Sequence, residues 1–253
     1  MNPWIIYSQP KSSAHLRLFA FPHAGGGSGS FRGWANRLGD EIELGYVQLP
    51  GRESRFRESP YDSMAELISP LVDALLGHLD REFAFYGHSL GAKVAFEAMR
   101  ELRRRGLREP LHLFVAACPA PQLPWPWPLM HGLATPKFLD EMQARYGGIP
   151  AEVREDDDLM ALLLPTLRAD IRMIETYAYT PEAPLKCGLT VFGGLEDPMV
   201  EEPSLAAWKL QTKSRFRLQM ELGGHFFPQR TQSRFLESLA AELLDAARVD
   251  EEL

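Results

Sequence analysis

Phe85-Tyr86-Gly87-His88-Ser89-Leu90-Gly91-Ala92-Lys93 decides how the rest of the chain is read. It opens as an apolar strand, turns sharply at a serine flanked by glycines, and leaves as a helix. Gly87-His88-Ser89-Leu90-Gly91 fits the G-x-S-x-G elbow. There the serine backbone is strained and its hydroxyl is lifted above the carboxyl edge of a parallel sheet. The glycines are required because a side chain at either position would meet a neighbouring element. The turn also sets the serine at the positive end of the following helix. So short a motif also arises by chance, so the flanking pattern has to carry weight.

That pattern is an alternation of strands and helices. Upstream, 16–21 reads as a strand ending in the glycine-rich 22–30, 31–38 as a short helix, and 42–49 as a second strand ending at Pro50-Gly51. Between 62 and 79, Met64, Leu67, Ile68, Leu71, Leu75 and Leu79 recur at helical spacing. Downstream, a helix over 91–105 stops at Gly106, and 111–117 is another strand. This implies an α/β fold, with a mostly parallel sheet covered by helices on both faces. The alternation then breaks. Residues 119–128 hold five prolines and two tryptophans, which excludes regular helix or central strand. Helices are expected over 136–146 and 156–179, the second kinked or divided at Pro165. About 120–182 therefore reads as a helical insertion over the sheet edge, within one domain spanning 1–253. Strands at 189–192 and 216–222 resume the pattern, with helices near 201–211 and 229–248.

Bulk properties narrow the function. A net charge of -7 argues against non-specific nucleic-acid binding. Cys118 and Cys187 lie far apart with no C-x-x-C, which suggests neither a disulfide framework nor a zinc site. They read as reduced thiols of a cytoplasmic protein. The start of the chain has no secretory pattern, and no apolar run approaches a membrane span.

Serine needs a base within hydrogen-bond reach, and the base needs an orienting acid. In a fold of this type the acid and histidine follow the serine, each in a loop after a strand. Asp197 follows 189–192 and His225 follows 216–222. Glu196 is an alternative acid, and Asp170 a remoter one inside the insertion. His88 precedes the serine on the strand side and reads as loop support. The oxyanion needs backbone donors, and Leu90, after the serine, supplies one. The loop after the first strand supplies the other, from Ala24 or, second, Gly25. A phosphate loop is the rival reading of 25–29, but Gly-Lys-Ser/Thr and G-x-G-x-x-G spacing are both missing.

With Phe21-Pro22-His23-Ala24-Gly25-Gly26, Gln48-Leu49-Pro50-Gly51-Arg52-Glu53, Gly194-Leu195-Glu196-Asp197 and Gly223-Gly224-His225-Phe226-Phe227 beside the elbow, the chain resembles the type II, editing thioesterases of polyketide and nonribosomal peptide synthesis. These are α/β-hydrolases. The L-P-G-R-E segment is far more specific than G-x-S-x-G. The resemblance spans nearly the whole chain. It implies Ser89 as nucleophile, Asp197 as acid, His225 as base, Ala24 and Leu90 as oxyanion donors, and a helical lid in the insertion. It also implies a substrate acyl group on the phosphopantetheine arm of an acyl or peptidyl carrier protein, a monomeric enzyme, and no cofactor or metal of its own. A general carboxylesterase or an acyltransferase would use the same triad.

Met130, Leu133, Phe138, Met142, Leu159, Leu162, Leu163, Leu167, Ile171, Met173 and Ile174 are candidates for an acyl pocket, although such stripes are more often core packing. Two arginine groups are candidates for docking an acidic carrier protein: Arg103, Arg104, Arg105 and Arg108, and Arg52, Arg55 and Arg57. A solvated helix end is the plainer reading of the first.

Overall fold

A computed structural model describes residues 3–147, 149–230 and 232–251. The ends of the expected 1–253 domain, Gly148 of the insertion and Thr231 of the last helix lie outside the described residues.

Seven strands form one sheet in the order β1-β3-β2-β4-β5-β6-β7. In chain order they are β1 (Ile5–Ile6), β2 (Leu16–Phe21), β3 (Ile42–Val47), β4 (Glu82–His88), β5 (His112–Ala116), β6 (Gly188–Gly194) and β7 (Phe216–Glu221). All pairings are parallel except that of β1, a two-residue edge strand absent from the sequence reading, which runs antiparallel to β3. Alternate residues feed alternate faces. Phe19 and Phe21 of β2, with Phe83 and Phe85 of β4, enter the core packed on α1 (Met64–Leu75) and α2 (Leu90–Arg104). Leu16, Leu18, Ala20, Ala84 and Tyr86 enter the opposite core.

The chain moves from β2 outward to β3, then crosses back to β4 on the far side of β2. The loops leaving β2 and β4 therefore diverge at adjacent carboxyl ends. Such a crevice is where ligands bind in an open α/β sheet.

Between β5 and β6 the described residues contain no strand. This stretch carries α3 (Thr135–Tyr146), a short α4 (Ala151–Arg154) and α5 (Asp157–Glu175). Asp156 caps α5 by accepting the Leu159 N–H at 2.9 Å. Of the two outcomes expected at Pro165, a kink or a division, division does not occur, and α5 runs through it. Pro165 and Ala161, whose carbonyl loses its helical partner, both face solvent. The fold closes with α6 (Glu202–Ala206), α7 (Phe227–Arg230) and α8 (Gln232–Glu251).

A second departure is the helix expected over 31–38. Only Ser28–Phe31 forms a turn of 3-10 helix, because Gly33 takes φ +82° and breaks the run. Trp34 and Leu38 are still buried, plugging the core from consecutive turns.

Candidate active site

The elbow forms as its sequence requires. Ser89 sits between β4 and α2 with φ 54° and ψ -116°, a strained conformation for a residue with a side chain. A Cβ on Gly87 would fall on the Ala92 backbone, and one on Gly91 on the Phe21 carbonyl. The close approach at Gly91 presses the end of β2 against the first turn of α2. Ser89 N–H donates to the Ala116 carbonyl at 2.8 Å, fixing the turn to β5.

Three loops converge on the hydroxyl. His225 Nε2 lies 3.0 Å from Ser89 Oγ, and His225 Nδ1 lies 2.8 Å from Asp197 Oδ2. With Nδ1–H donating to the carboxylate, Nε2 is free to accept from the serine. The Met199 N–H donates to Asp197 Oδ1 at 2.9 Å, so both carboxylate oxygens are held. The Asp197 side chain is fully buried, whereas Glu196 faces solvent. The structure thus brings Asp197, not Glu196, to His225. The two loops can stack this closely because Gly194 has no Cβ; one there would strike the Gly223 and Gly224 carbonyls.

His88 turns away from the serine oxygen. Its Nε2–H donates to the His225 carbonyl at 2.9 Å, supporting the backbone that carries the base. Burial first, then the neighbouring imidazoles His23 and His225, hold His88 well below the ordinary histidine pKa, so it is neutral. The Tyr146 ring meets His225 edge-on at 5.0 Å and walls the imidazole from the α3 side.

The loop after β2 is a tight turn closed by Gly26 N–H to the His23 carbonyl at 2.9 Å, with Gly25 at φ +73°. His23 Nδ1–H donates to the Ala24 carbonyl. Gly25 N–H donates to Asp170 Oδ2 at 2.7 Å. Asp170, fully buried on α5, also receives both arms of the Arg52 guanidinium at 2.8 Å each, and Arg52 donates to the Gly26 carbonyl at 3.0 Å. One carboxylate therefore ties α5, the L-P-G-R-E loop and the glycine loop together. The sequence reading placed Asp170 only as a remote alternative acid and missed this role. The signal available was an acidic residue on an apolar helix face, next to Ile171 and Ile174.

The same geometry removes Arg52 and Arg55 from the docking expectation, while Arg57 is exposed with its guanidinium over the Phe56 ring. Arg52 and Arg55 are buried, Arg55 pairing with Glu58 and the Gln48 carbonyl, so neither offers a docking surface. Arg103, Arg104, Arg105 and Arg108 are engaged by Glu182, Glu101, Asp73 and Glu82. They form a paired helix end.

Above Ser89 opens a cavity of about 240 Å³. Its floor is His23, Ala24, Gly25, Ser89 and His225, and its roof comes from α3, α4 and α5. Of the expected acyl-pocket residues, Met142, Leu163, Leu167, Ile171 and Ile174 line it. Met130, Phe138 and Met173 are core instead, and Leu162 is half exposed. Ile149, Pro150, Val153 and Met160 line it without having been foreseen: the first three lie in or just before α4, which is too short to show periodicity, and Met160 lies in the first turn of α5. No group of three or more His, Cys, Asp or Glu side chains able to hold a metal occurs among the described residues.

A family model described as the thioesterase domain matches residues 16–243. The chain belongs to the thioesterase family. The gramicidin S biosynthesis protein GrsT of Aneurinibacillus migulanus is 37% identical over 243 residues, covering 96% of this chain and 94% of its own. The RedJ thioesterase from the prodiginine pathway of Streptomyces coelicolor superposes with a TM-score of 0.85 at 38% identity, over 92% of this chain and 87% of its own. The type II thioesterase BorB from the borrelidin biosynthetic cluster gives 0.84 at 30%, over 95% and 96%. The family and the three-residue hydrogen-bonded chain make this protein an acyl-thioester hydrolase of the α/β-hydrolase fold.

Proposed function

We propose that this thioesterase is a type II, editing enzyme. It clears stalled or wrongly loaded acyl groups from the phosphopantetheine arm of acyl or peptidyl carrier proteins in modular polyketide or nonribosomal peptide synthesis. The observation carrying this reading is the Ser89–His225–Asp197 chain at the floor of an apolar cavity, in a chain so similar to RedJ and BorB.

In the proposed mechanism His225 Nε2 takes the Ser89 proton as Oγ attacks the thioester carbonyl. The oxyanion is received by the Leu90 and Ala24 N–H groups. The choice of Ala24 over Gly25 is supported by the engagement of the Gly25 N–H with Asp170. The imidazolium, oriented by Asp197, returns the proton to the departing thiolate. His225 then takes a proton from water as it attacks the acyl-enzyme, and Ser89 leaves with that proton. The stretch at about 120–182 acts as a lid subdomain whose apolar inner face holds the acyl chain.

The enzyme is proposed to act as a cytoplasmic monomer that visits its carrier in trans. Consistent with this, no helix among the described residues is long and apolar enough to cross a membrane.

The test is mass spectrometry of a carrier protein loaded with different acyl groups, before and after incubation. Wild-type enzyme should return free holo-carrier and acid. Ser89→Ala should leave the acyl-carrier intact. Faster turnover of matched oxygen esters would favour a carboxylesterase, and acyl transfer to an added alcohol or amine would favour an acyltransferase.

A further inference from the structure

The triad faces two voids. Beyond the 240 Å³ cavity, a narrow crevice of about 20 Å³ opens on the other side of Ser89 and His225. Ser89, His225, Tyr146 and Ile174 border both, so the nucleophile stands on the wall between them. The crevice is completed by Trp125, Pro126 and Trp127 of the proline-tryptophan segment and, facing them, Met199 and Val200 just after Asp197.

Trp125 lines this crevice, and its indole N–H is buried and has no acceptor. Tyr86 Oη is likewise unpartnered, but it lies in the sheet core among Trp34, Phe31 and Phe235. A buried donor without a partner is costly in a folded protein. One carried by a residue that lines the crevice beside the reacting serine is explained if an acceptor arrives with the substrate.

A thioester held with its carbonyl carbon at Ser89 and its acyl chain in the larger cavity must send its sulfur the other way. The crevice is the void on that side. It is too narrow for a globular group, and its small volume admits an unbranched arm only if a wall yields. Trp127, 38% exposed at the rim, is the wall with freedom to do so. The phosphopantetheine arm is unbranched near the sulfur and carries its first amide two methylenes away. That amide brings a carbonyl acceptor into an otherwise apolar passage.

We propose that this crevice receives the sulfur-proximal end of the phosphopantetheine arm, and that the Trp125 indole N–H donates a hydrogen bond to the first amide carbonyl. Trp125 is thereby a substrate-positioning residue that reads the leaving group rather than the acyl chain. The assignment rests on the carrier-thioester reading above.

The experiment compares octanoyl-pantetheine with an octanoyl thioester of a plain alkanethiol of equal length, which lacks the amide. Trp125→Phe removes the N–H and keeps an aromatic ring. Its kcat/KM should fall roughly tenfold on the pantetheine thioester. On the alkyl thioester the loss should be several-fold smaller, and an unchanged melting temperature reports the intact fold. Equal losses on both substrates, or no loss on either, overturns the assignment. So does an equally selective loss in Trp127→Phe, since crevice shape alone would then explain it. Should Trp125→Phe be unstable, the wild-type enzyme carries the same test: equal kcat/KM for the two arms overturns the proposal. A separate arm with acyl-carrier protein keeps the two readings apart. If wild-type enzyme releases no acid from it, the editing function fails; if it does while Trp125→Phe shows no selectivity, only the Trp125 assignment fails.

Discussion

At the scale of single residues, the site depends on backbone positions as much as on reactive side chains. Ser89→Ala should abolish acyl-enzyme formation with an unchanged melting temperature; a variant retaining normal thioester turnover would remove Ser89 as nucleophile. Asp197→Asn should lower kcat by about 10⁴-fold, because the amide favours the wrong imidazole tautomer. A stopped assay on a small acyl thioester measures both. Gly91→Ala should be at least as damaging as either, since its methyl would land on the Phe21 carbonyl and part β2 from α2. Soluble, fully active Gly91→Ala protein would contradict that geometry. These positions were legible because turn chemistry and chain order are local properties of the sequence. Partners of buried charges were not. Arg52 and Arg55 read as loop cations, since nothing in their own stretch announces Asp170, 118 residues away from Arg52.

At the scale of elements, α5 is joined to the site by two buried carboxylates. Asp170 holds the glycine loop, and Glu175 accepts the Met130 and His131 N–H groups at 2.8 and 3.0 Å, anchoring the end of the proline-tryptophan segment. Asp170→Asn leaves the Arg52 guanidinium buried without a counter-charge. It should cost about 3–5 kcal/mol of stability. Because the glycine loop loses its anchor, kcat should fall more than KM rises. Denaturant melts with steady-state kinetics decide this, and a variant losing stability but no kcat would show the tether to be structural only. The cavity roof gives the complementary prediction. Leu167→Phe should narrow the space under α5 and shift preference toward shorter acyl chains, read from kcat/KM across a chain-length series. An unchanged profile would place the acyl chain elsewhere. Helices as long as α3 and α5 were visible from periodicity. What periodicity could not say was which apolar stripe faces a void and which faces core, because both look alike along one helix.

At the scale of the whole molecule, burial of neutral histidines sets a limit on the acid side. His112 lies in β5, stacked on Phe114 with its Nε2 2.9 Å from Thr190 Oγ1. Burial, helped by Arg215, pushes its pKa down to about 4. His23 and His88 are lowered in the same direction, chiefly by burial. In the unfolded chain these rings take up protons below about pH 6.5, while the folded protein resists protonation. Their contribution to stability is therefore complete above about pH 6.5 and is lost as pH falls toward 4. His112 alone accounts for about 3 kcal/mol of that loss. Thermal melts from pH 7.5 to 4.5 should show the decline, and His112→Gln should flatten it. An unaltered slope would mean that the ring is protonated in the native state.

The division of labour between floor and roof has an evolutionary reading. The reacting groups and the proposed oxyanion donors stand on loops at the sheet edge. The surfaces that would sense acyl length and arm chemistry come mostly from the stretch between β5 and β6. Replacing a roof side chain alters what is accepted and leaves the bond-breaking parts intact. Descendants of this chain can thus change clientele by single substitutions while inheriting the chemistry whole. Asp170 is the exception: it lies within that stretch yet holds the loops of the reacting floor, and that helix can diversify only around it.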